Sequence, residues 1–184
     1  MRVWLSSPLF LPHIFLYLIS PSKWLIDSDI VAWGKYRDFV DEPGIKSLLK
    51  LLIIQSEFRS QFALRLGGFS KLLIFLNGGG CLDLGNCRQI GPGFTLVHGF
   101  GTVINGSAVI GSNCTILHNV TIGGGHGGSP VIGDNVYIGA GAIIIGGIHV
   151  GNNVKIGAGA IVVEDVPDNS TVVCEKAKII RHNV

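Results

Sequence analysis

Ile132-Gly-Asp-Asn-Val-Tyr-Ile138-Gly-Ala-Gly-Ala-Ile-Ile144-Ile-Gly-Gly-Ile-His-Val150-Gly-Asn-Asn-Val-Lys-Ile156-Gly-Ala-Gly-Ala-Ile-Val162 sets an aliphatic residue at every sixth position. An amphipathic helix would repeat at three and four residues and a half-buried strand at two. A period of six requires a backbone that returns to one face after each short flat segment, which is a parallel β-helix. Three six-residue sides make a turn of roughly eighteen residues, stacked about 4.8 Å from the next. Gly139 to Ala142 and Gly157 to Ala160 repeat Gly-Ala-Gly-Ala eighteen residues apart, as stacked turns require.

The same beat runs earlier through Ile104, Ile110, Ile116 and Ile122, and further back through Leu84, Ile90 and Leu96. A two-residue slip between Leu96 and Ile104 predicts a bulge. Four extra residues interrupt the beat in Gly123-Gly-Gly-His-Gly-Gly-Ser-Pro130, which reads as an outward loop. Glycine and asparagine after the anchors (Gly111, Gly133-Asp134-Asn135, Gly151-Asn152-Asn153, Gly157) suit corners that need φ > 0 or close backbone approach.

With 27 glycines, 14% charged and 47% hydrophobic residues in 184, the chain is long enough for one real core. The expected division is a helical, apolar and basic extension over 1–80, the β-helix over 81–170 and a tail over 171–184. A net charge of +2 gives no basic stripe for nucleic acid. Residues 1–80 nevertheless carry nine Lys/Arg against six Asp/Glu. Cys81, Cys87, Cys114 and Cys174 lack paired or zinc-knuckle spacing and read as reduced thiols of the cytoplasm.

Val3 to Ile19 is apolar, but Pro8, Pro12 and His13 interrupt it and no small-residue cleavage site follows. From Pro43 to Leu76 a helical pattern sets Leu48, Leu52, Phe58 and Phe62 on an apolar face punctuated by Lys46, Lys50, Arg59, Arg65 and Lys71. Two readings stand: a cap on the open end of the prism or against a sister subunit, or a basic surface over 1–76 in peripheral contact with anionic lipid.

Chemistry must come from the few polar side chains. His98 and His118 each lie two residues after an anchor, so with the slip allowed for they stack on one side, and the loop bearing His126 is expected beside them. His13, His149 and His182 read as surface residues. An imidazole next to a loop can act as a general base where a carboxylate fixes its tautomer. Asp83, fifteen residues before His98, is the candidate partner on the adjacent coil.

Val97-His98-Gly99-Phe100-Gly101-Thr102-Val103-Ile104, followed by Ile116-Leu117-His118-Asn119-Val120-Thr121-Ile122-Gly123-Gly124, resembles the left-handed β-helix acyltransferases of the serine acetyltransferase family. The resemblance covers about Cys81 to Ile180. It implies a mainly β fold, a left-handed parallel β-helix assembled as a homotrimer, alone or paired into a hexamer. It implies acetyl-CoA in the groove between subunits, no metal, and catalysis by His98 with Asp83. His118, His126 and Ser129 become acceptor-binding candidates. The resemblance makes Ala140, Ala158 and Lys176 contacts of the CoA arm, while the glycine-rich corner itself suggests the backbone N–H groups beside Gly123 and Gly124 as oxyanion donors.

Two departures bear on the acceptor. The family's carboxylate before the catalytic histidine is Val97 here, and its loop arginine-histidine pair aligns with Gly128-Ser129 before Pro130. A zwitterionic acceptor desolvated without partners is costly, so free serine is the second choice. Val166-Pro167-Asp168-Asn169, Val173-Cys174-Glu175-Lys176-Ala177 and Ser56 to Phe62 resemble instead the polysaccharide branch that includes colanic-acid acetyltransferases. The expected reaction is O-acetylation of a sugar hydroxyl, free or lipid-linked. Serine O-acetyltransferase, a zinc site of the γ-carbonic-anhydrase kind and a non-enzymatic scaffold are the alternatives.

Overall fold

A computed structural model describes residues 11–37, 42–66, 87 and 89–175. Asp83 and Lys176 lie outside the described residues, as do Leu84 and Cys81. Strands β1–β13, numbered in chain order, form three parallel sheets, one per face of a prism. The first face holds β1 (Gln89–Ile90), β4 (Val109–Ile110), β7 (Val131–Ile132) and β10 (His149–Val150). The second holds β2 (Thr95–Leu96), β5 (Thr115–Ile116), β8 (Tyr137–Ile138), β11 (Lys155–Ile156) and β13 (Thr171–Val172). The third holds β3 (Val103–Ile104), β6 (Thr121–Gly123), β9 (Ile143–Ile145) and β12 (Ile161–Val162).

Each two-residue strand turns one residue in and one out. Every anchor from Ile90 to Val162 is buried, and Ala108, Cys114, Val120, Val136, Ala142 and Ala160 fill the space between anchor rows. Thr171–Val172, expected to open the tail, instead extends the second face by pairing with β11.

Register locates the irregular rungs. Thr95 pairs with Thr115, Thr115 with Tyr137 and Tyr137 with Lys155, which are steps of 20, 22 and 18 residues. The two extra residues of the first step fall between β2 and β3, because Val103 already pairs with Thr121 at a step of 18. The four extra residues of the second fall in the loop after β6. A final step of 16 joins Lys155 to Thr171.

Glycine and asparagine divide the corner work differently from the expectation. Asn113, Asn135, Asn153 and Asn169 take the positive φ, at 56–58°. The glycines preceding them permit close approach: a Cβ on Gly111 would stand 2.6 Å from the Gly133 carbonyl carbon. Asparagine tolerates the left-handed region, and the carboxamides bond to one another along the corner, Asn135 to Asn153 at 3.1 Å and Asn153 to Asn169 at 3.0 Å.

Four helices, α1 (Leu11–Ile19), α2 (Lys23–Arg37), α3 (Ile45–Ile54) and α4 (Ser56–Leu66), share a second core of Tyr17, Ile26, Ile30, Trp33, Leu48, Leu51, Leu52, Phe58 and Phe62. Arg59 donates to Leu52 O and Ile53 O, satisfying carbonyls at the C-terminus of α3. The bundle caps the prism through polar side chains. Gln61 donates to Phe94 O at 2.6 Å, Asp29 accepts from the Phe94 N–H at 2.9 Å, and Arg65 donates to Ile90 O and Gly91 O, both at 2.6 Å. These bonds satisfy backbone groups at the edge of the first described rung. Arg65 also grips Asp29 with two bonds of 2.8 and 3.0 Å in a buried pair. Burial pushes the Asp29 carboxyl up, against the opposing pull of Arg65, Gln61 and the Phe94 N–H.

Candidate active site

The two extra residues after β2 build a sharp protrusion. His98 adopts φ 50°, and the Phe100 N–H donates to His98 O at 2.6 Å across the turn. Gly99 is buried against Leu96, where a Cβ would fall 2.7 Å from the leucine side chain. His98 is thereby turned outward and is exposed, between buried Val97 and buried Gly99. A non-glycine residue in the left-handed region costs on the order of 1–3 kcal/mol, and such strain concentrates at functional sites. Thr102 anchors the far side: fully buried, it donates to Leu117 O at 3.0 Å and accepts from the Val120 N–H at 3.3 Å.

Along this corner between the second and third faces, Asn119 N–H donates to Phe100 O, Gly141 N–H to His118 O and Gly159 N–H to Ala140 O. The rungs therefore read Phe100, His118, Ala140, Ala158. His98 and His118 share a corner, as expected. Phe100 occupies the rung over His118, and His98 belongs to the protrusion before it. Beyond His118 the edge carries only Ala140 and Ala158, with the exposed Cys174 donating to Ala158 O at 3.4 Å. Such a small-residue edge lets an extended ligand approach the backbone. His118 is half-buried, and its Nδ1 is buried without a hydrogen-bond partner among the described residues.

The loop lies elsewhere. It leaves β6 at the corner between the third and first faces, so the width of the third face separates it from His98 of the same chain. This corrects the expectation that His126 sits beside the histidine stack. It likewise removes Gly123 and Gly124 as oxyanion donors to His98 within one chain. Gly125 and Gly128 close the loop with bonds of 2.9 and 3.2 Å, His126 stands exposed at its tip, and Ser129 donates to Asn105 Oδ1 at 3.1 Å. A groove of about 700 Å³ lined by Asp27, Lys35, Tyr36, Thr95, Asn113 and Thr115 runs between α2 and the second face and contains none of the candidate residues. Among the described residues no three His, Cys, Asp or Glu side chains converge on a metal position.

Phe100, Thr102 and Asn105 escaped the sequence reading. Their roles depend on where the extra residues enter the corner, and a six-residue count places a slip only to within its flanking anchors.

Residues 129–163 match the family of bacterial transferase hexapeptides, six repeats. The chain is thus a hexapeptide-repeat transferase built on a parallel β-helix. Over 163 residues it is 36% identical to a serine acetyltransferase of Helicobacter pylori, covering 85% of this chain and 92% of that one. The fold is similar to Neisseria gonorrhoeae serine acetyltransferase in complex with serine, at 33% identity and TM-score 0.66, covering 86% of this chain and 68% of the other. It is also similar to a serine acetyltransferase in complex with CoA, at 28% identity and TM-score 0.64, covering 80% and 64%. The chain belongs to the serine acetyltransferase family and is an acetyl-CoA-dependent acyltransferase.

These relationships overturn the expected sugar acceptor and the polysaccharide branch, since the relatives are named serine acetyltransferases. The expectation rested on two departures, at Val97 and at Gly128-Ser129, and on the resemblance of three further segments to the polysaccharide branch. Val97 is 2% exposed, so its own side chain presents nothing to an acceptor.

Proposed function

We propose that the chain is a serine O-acetyltransferase, transferring the acetyl group of acetyl-CoA to the serine hydroxyl in the cytoplasm. The observation that carries this reading is the outward imidazole of His98 on a strained turn at the head of a small-residue edge. His98 takes the hydroxyl proton as the oxygen attacks the thioester carbonyl. The tetrahedral intermediate collapses with cleavage of the C–S bond, and the proton passes from the imidazolium to the departing thiolate. Asp83 holds the ring and offsets its developing charge. The CoA arm runs along Ala140 and Ala158, with Lys176 as a further contact.

The acting unit is a homotrimer. The outward positions of the third face are mostly apolar, Val103, Ile143, Ile145, Ile161 and Val163 with Thr121 among them, whereas Tyr137, Lys155 and Thr171 mark the second. Packing third faces around a threefold axis carries the loop of one copy to the His98 corner of the next. His126 and Ser129 then face the acceptor held near His118, with Gly123 and Gly124 at the base of that neighbouring loop. No residue of the loop from 123 to 130 is Arg or Lys, so serine is held by hydrogen bonds rather than by a loop cation.

Thiol release from acetyl-CoA in the presence of serine, with mass detection of O-acetylserine, tests the reading. Serine-dependent turnover that His98→Ala abolishes is the expected result. Turnover indifferent to serine would refute it.

A further inference from the structure

His118 stands on the edge between Phe100 and the two alanines, its carbonyl accepting from the Gly141 N–H at 3.0 Å. Buried Thr102 clamps the backbone on both sides of it, donating to Leu117 O at 3.0 Å and accepting from the Val120 N–H at 3.3 Å. The ring is half-buried, and its Nδ1 is buried without a hydrogen-bond partner among the described residues. A neutral imidazole carries one N–H and one bare lone pair. Stranding the N–H, or an imidazolium charge, at a buried nitrogen with no acceptor costs more than leaving the lone pair there. His118 is therefore neutral with its proton on Nε2, the nitrogen on the open side of the ring, and the fold presents it as a fixed donor.

That N–H stands where a thioester carbonyl needs one. With the CoA arm along Ala158 and Ala140 and successive rungs about 4.8 Å apart, the reactive end of the arm meets His118 one rung on, before the exposed His98 of the protrusion. As the serine oxygen attacks, the electron pair of the C=O bond moves onto the carbonyl oxygen. Collapse restores that bond and breaks C–S, while the hydroxyl proton travels through His98 to sulfur. The loop glycines of the same chain lie across the third face from this corner. A donor already in position lowers the barrier because it meets the oxygen's charge as it develops.

We infer that His118 is a catalytic residue whose Nε2–H donates to the oxygen of the thioester carbonyl and to the oxyanion it becomes. The inference rests on the acetyl transfer to serine proposed above. H118F removes the N–H and puts carbon in place of the unbonded Nδ1, which spares the fold, and H118Q restores an N–H at similar reach. In H118F kcat should fall about 10²–10³-fold, with both KM values nearly unchanged and circular dichroism and oligomeric mass those of the parent. H118L replaces H118F should the latter not assemble, and H118Q should recover most of the loss. A second measurement needs no acceptor: acetyl-CoA labelled with carbon-13 at the carbonyl, bound to His98→Ala protein, should show its C=O stretch at lower frequency than in solution, a shift absent from H98A/H118F. An unchanged kcat, an effect confined to the KM for serine, equal inactivity of H118F and H118Q, or a carbonyl band indifferent to H118F each overturns the inference. Parent protein that ignores serine while the band still depends on His118 would sink the serine reading alone and leave the donor in place.

Discussion

Phe100, not His98, stands on the rung directly over His118: the Asn119 N–H bonds Phe100 O at 2.8 Å, and one coil further the Gly141 N–H bonds His118 O at 3.0 Å. The two residues inserted before Phe100 lift His98 out of the stack and hold it at φ 50°. Strain and exposure at His98 have one origin, and they separate experimentally. His98→Ala is expected to lower turnover by about 10²–10⁴-fold. H98G should be equally inactive yet about 1 kcal/mol more stable than H98A, because only glycine enters the left-handed region without a Cβ penalty. Urea unfolding of the two variants checks this; the opposite order would mean that the turn is not held at positive φ.

The buried Arg65–Asp29 pair is expected to be costly to break from one side. Arg65→Ala leaves the buried Asp29 carboxylate without its cation and the Ile90 and Gly91 carbonyls without their donor, and should destabilise by about 3–5 kcal/mol. Replacing both residues together, as D29L/R65M, should cost less than the sum of the single changes, although the open carbonyls remain. A double-mutant cycle on urea midpoints measures the difference.

Cys114 and Cys174 should respond oppositely to alkylating reagent. Burial pushes the Cys114 thiol up to about 11, and its Sγ lies 3.2 Å from Gly133 O, whereas Cys174 is exposed. The thiolate is the reactive form, so mass spectrometry of native protein at pH 8 should find Cys174 modified and Cys114 intact. Because the folded thiol keeps its proton above the ordinary value of 9.0, unfolding releases a proton between roughly pH 9 and 11. Stability therefore falls as pH rises through that window, by on the order of 2 kcal/mol relative to Cys114→Ala.

Gly147 carries the loop. A Cβ there would stand 2.1 Å from Gly127 O and 2.4 Å from Gly127 C, so Gly147→Ala must displace the segment bearing His126 and Ser129. With the loop proposed to close over the acceptor, G147A should raise the KM for serine several-fold more than that for acetyl-CoA. Steady-state kinetics with each substrate varied in turn measure the contrast.

The architecture was legible because of the sustained period of six: one aliphatic residue per six-residue side, from Ile104 to Val162, is a buried anchor. The bulge and the loop were legible as departures from that count. Which residue of the bulge faces which rung was not, since a slip of two has several placements that only the corner hydrogen bonds distinguish. The loop's corner was countable, but His126 was associated with His98 by chemistry before the faces were assigned. The acceptor was misread from two missing groups, a carboxylate at Val97 and a cation at Gly128-Ser129, and a missing group does not identify what the site binds instead. Helices α1 and α2 lacked a clean apolar period because α1 buries its histidine and tyrosine and exposes its leucines.

The polar plug formed by Asp29, Gln61 and Arg65 also governs what the prism could join. A bare terminal rung is a template on which an identical molecule can polymerise, end to end, into a filament. At one end that template is occupied by side chains of the same chain. At the other, the last two strands, β12 and β13, are two residues long, with Glu164, Asp165, Pro167 and Asp168 in the segment between them, all features that discourage growth. A solenoid that could in principle add rungs indefinitely is kept to a discrete particle by a handful of charged and amide groups.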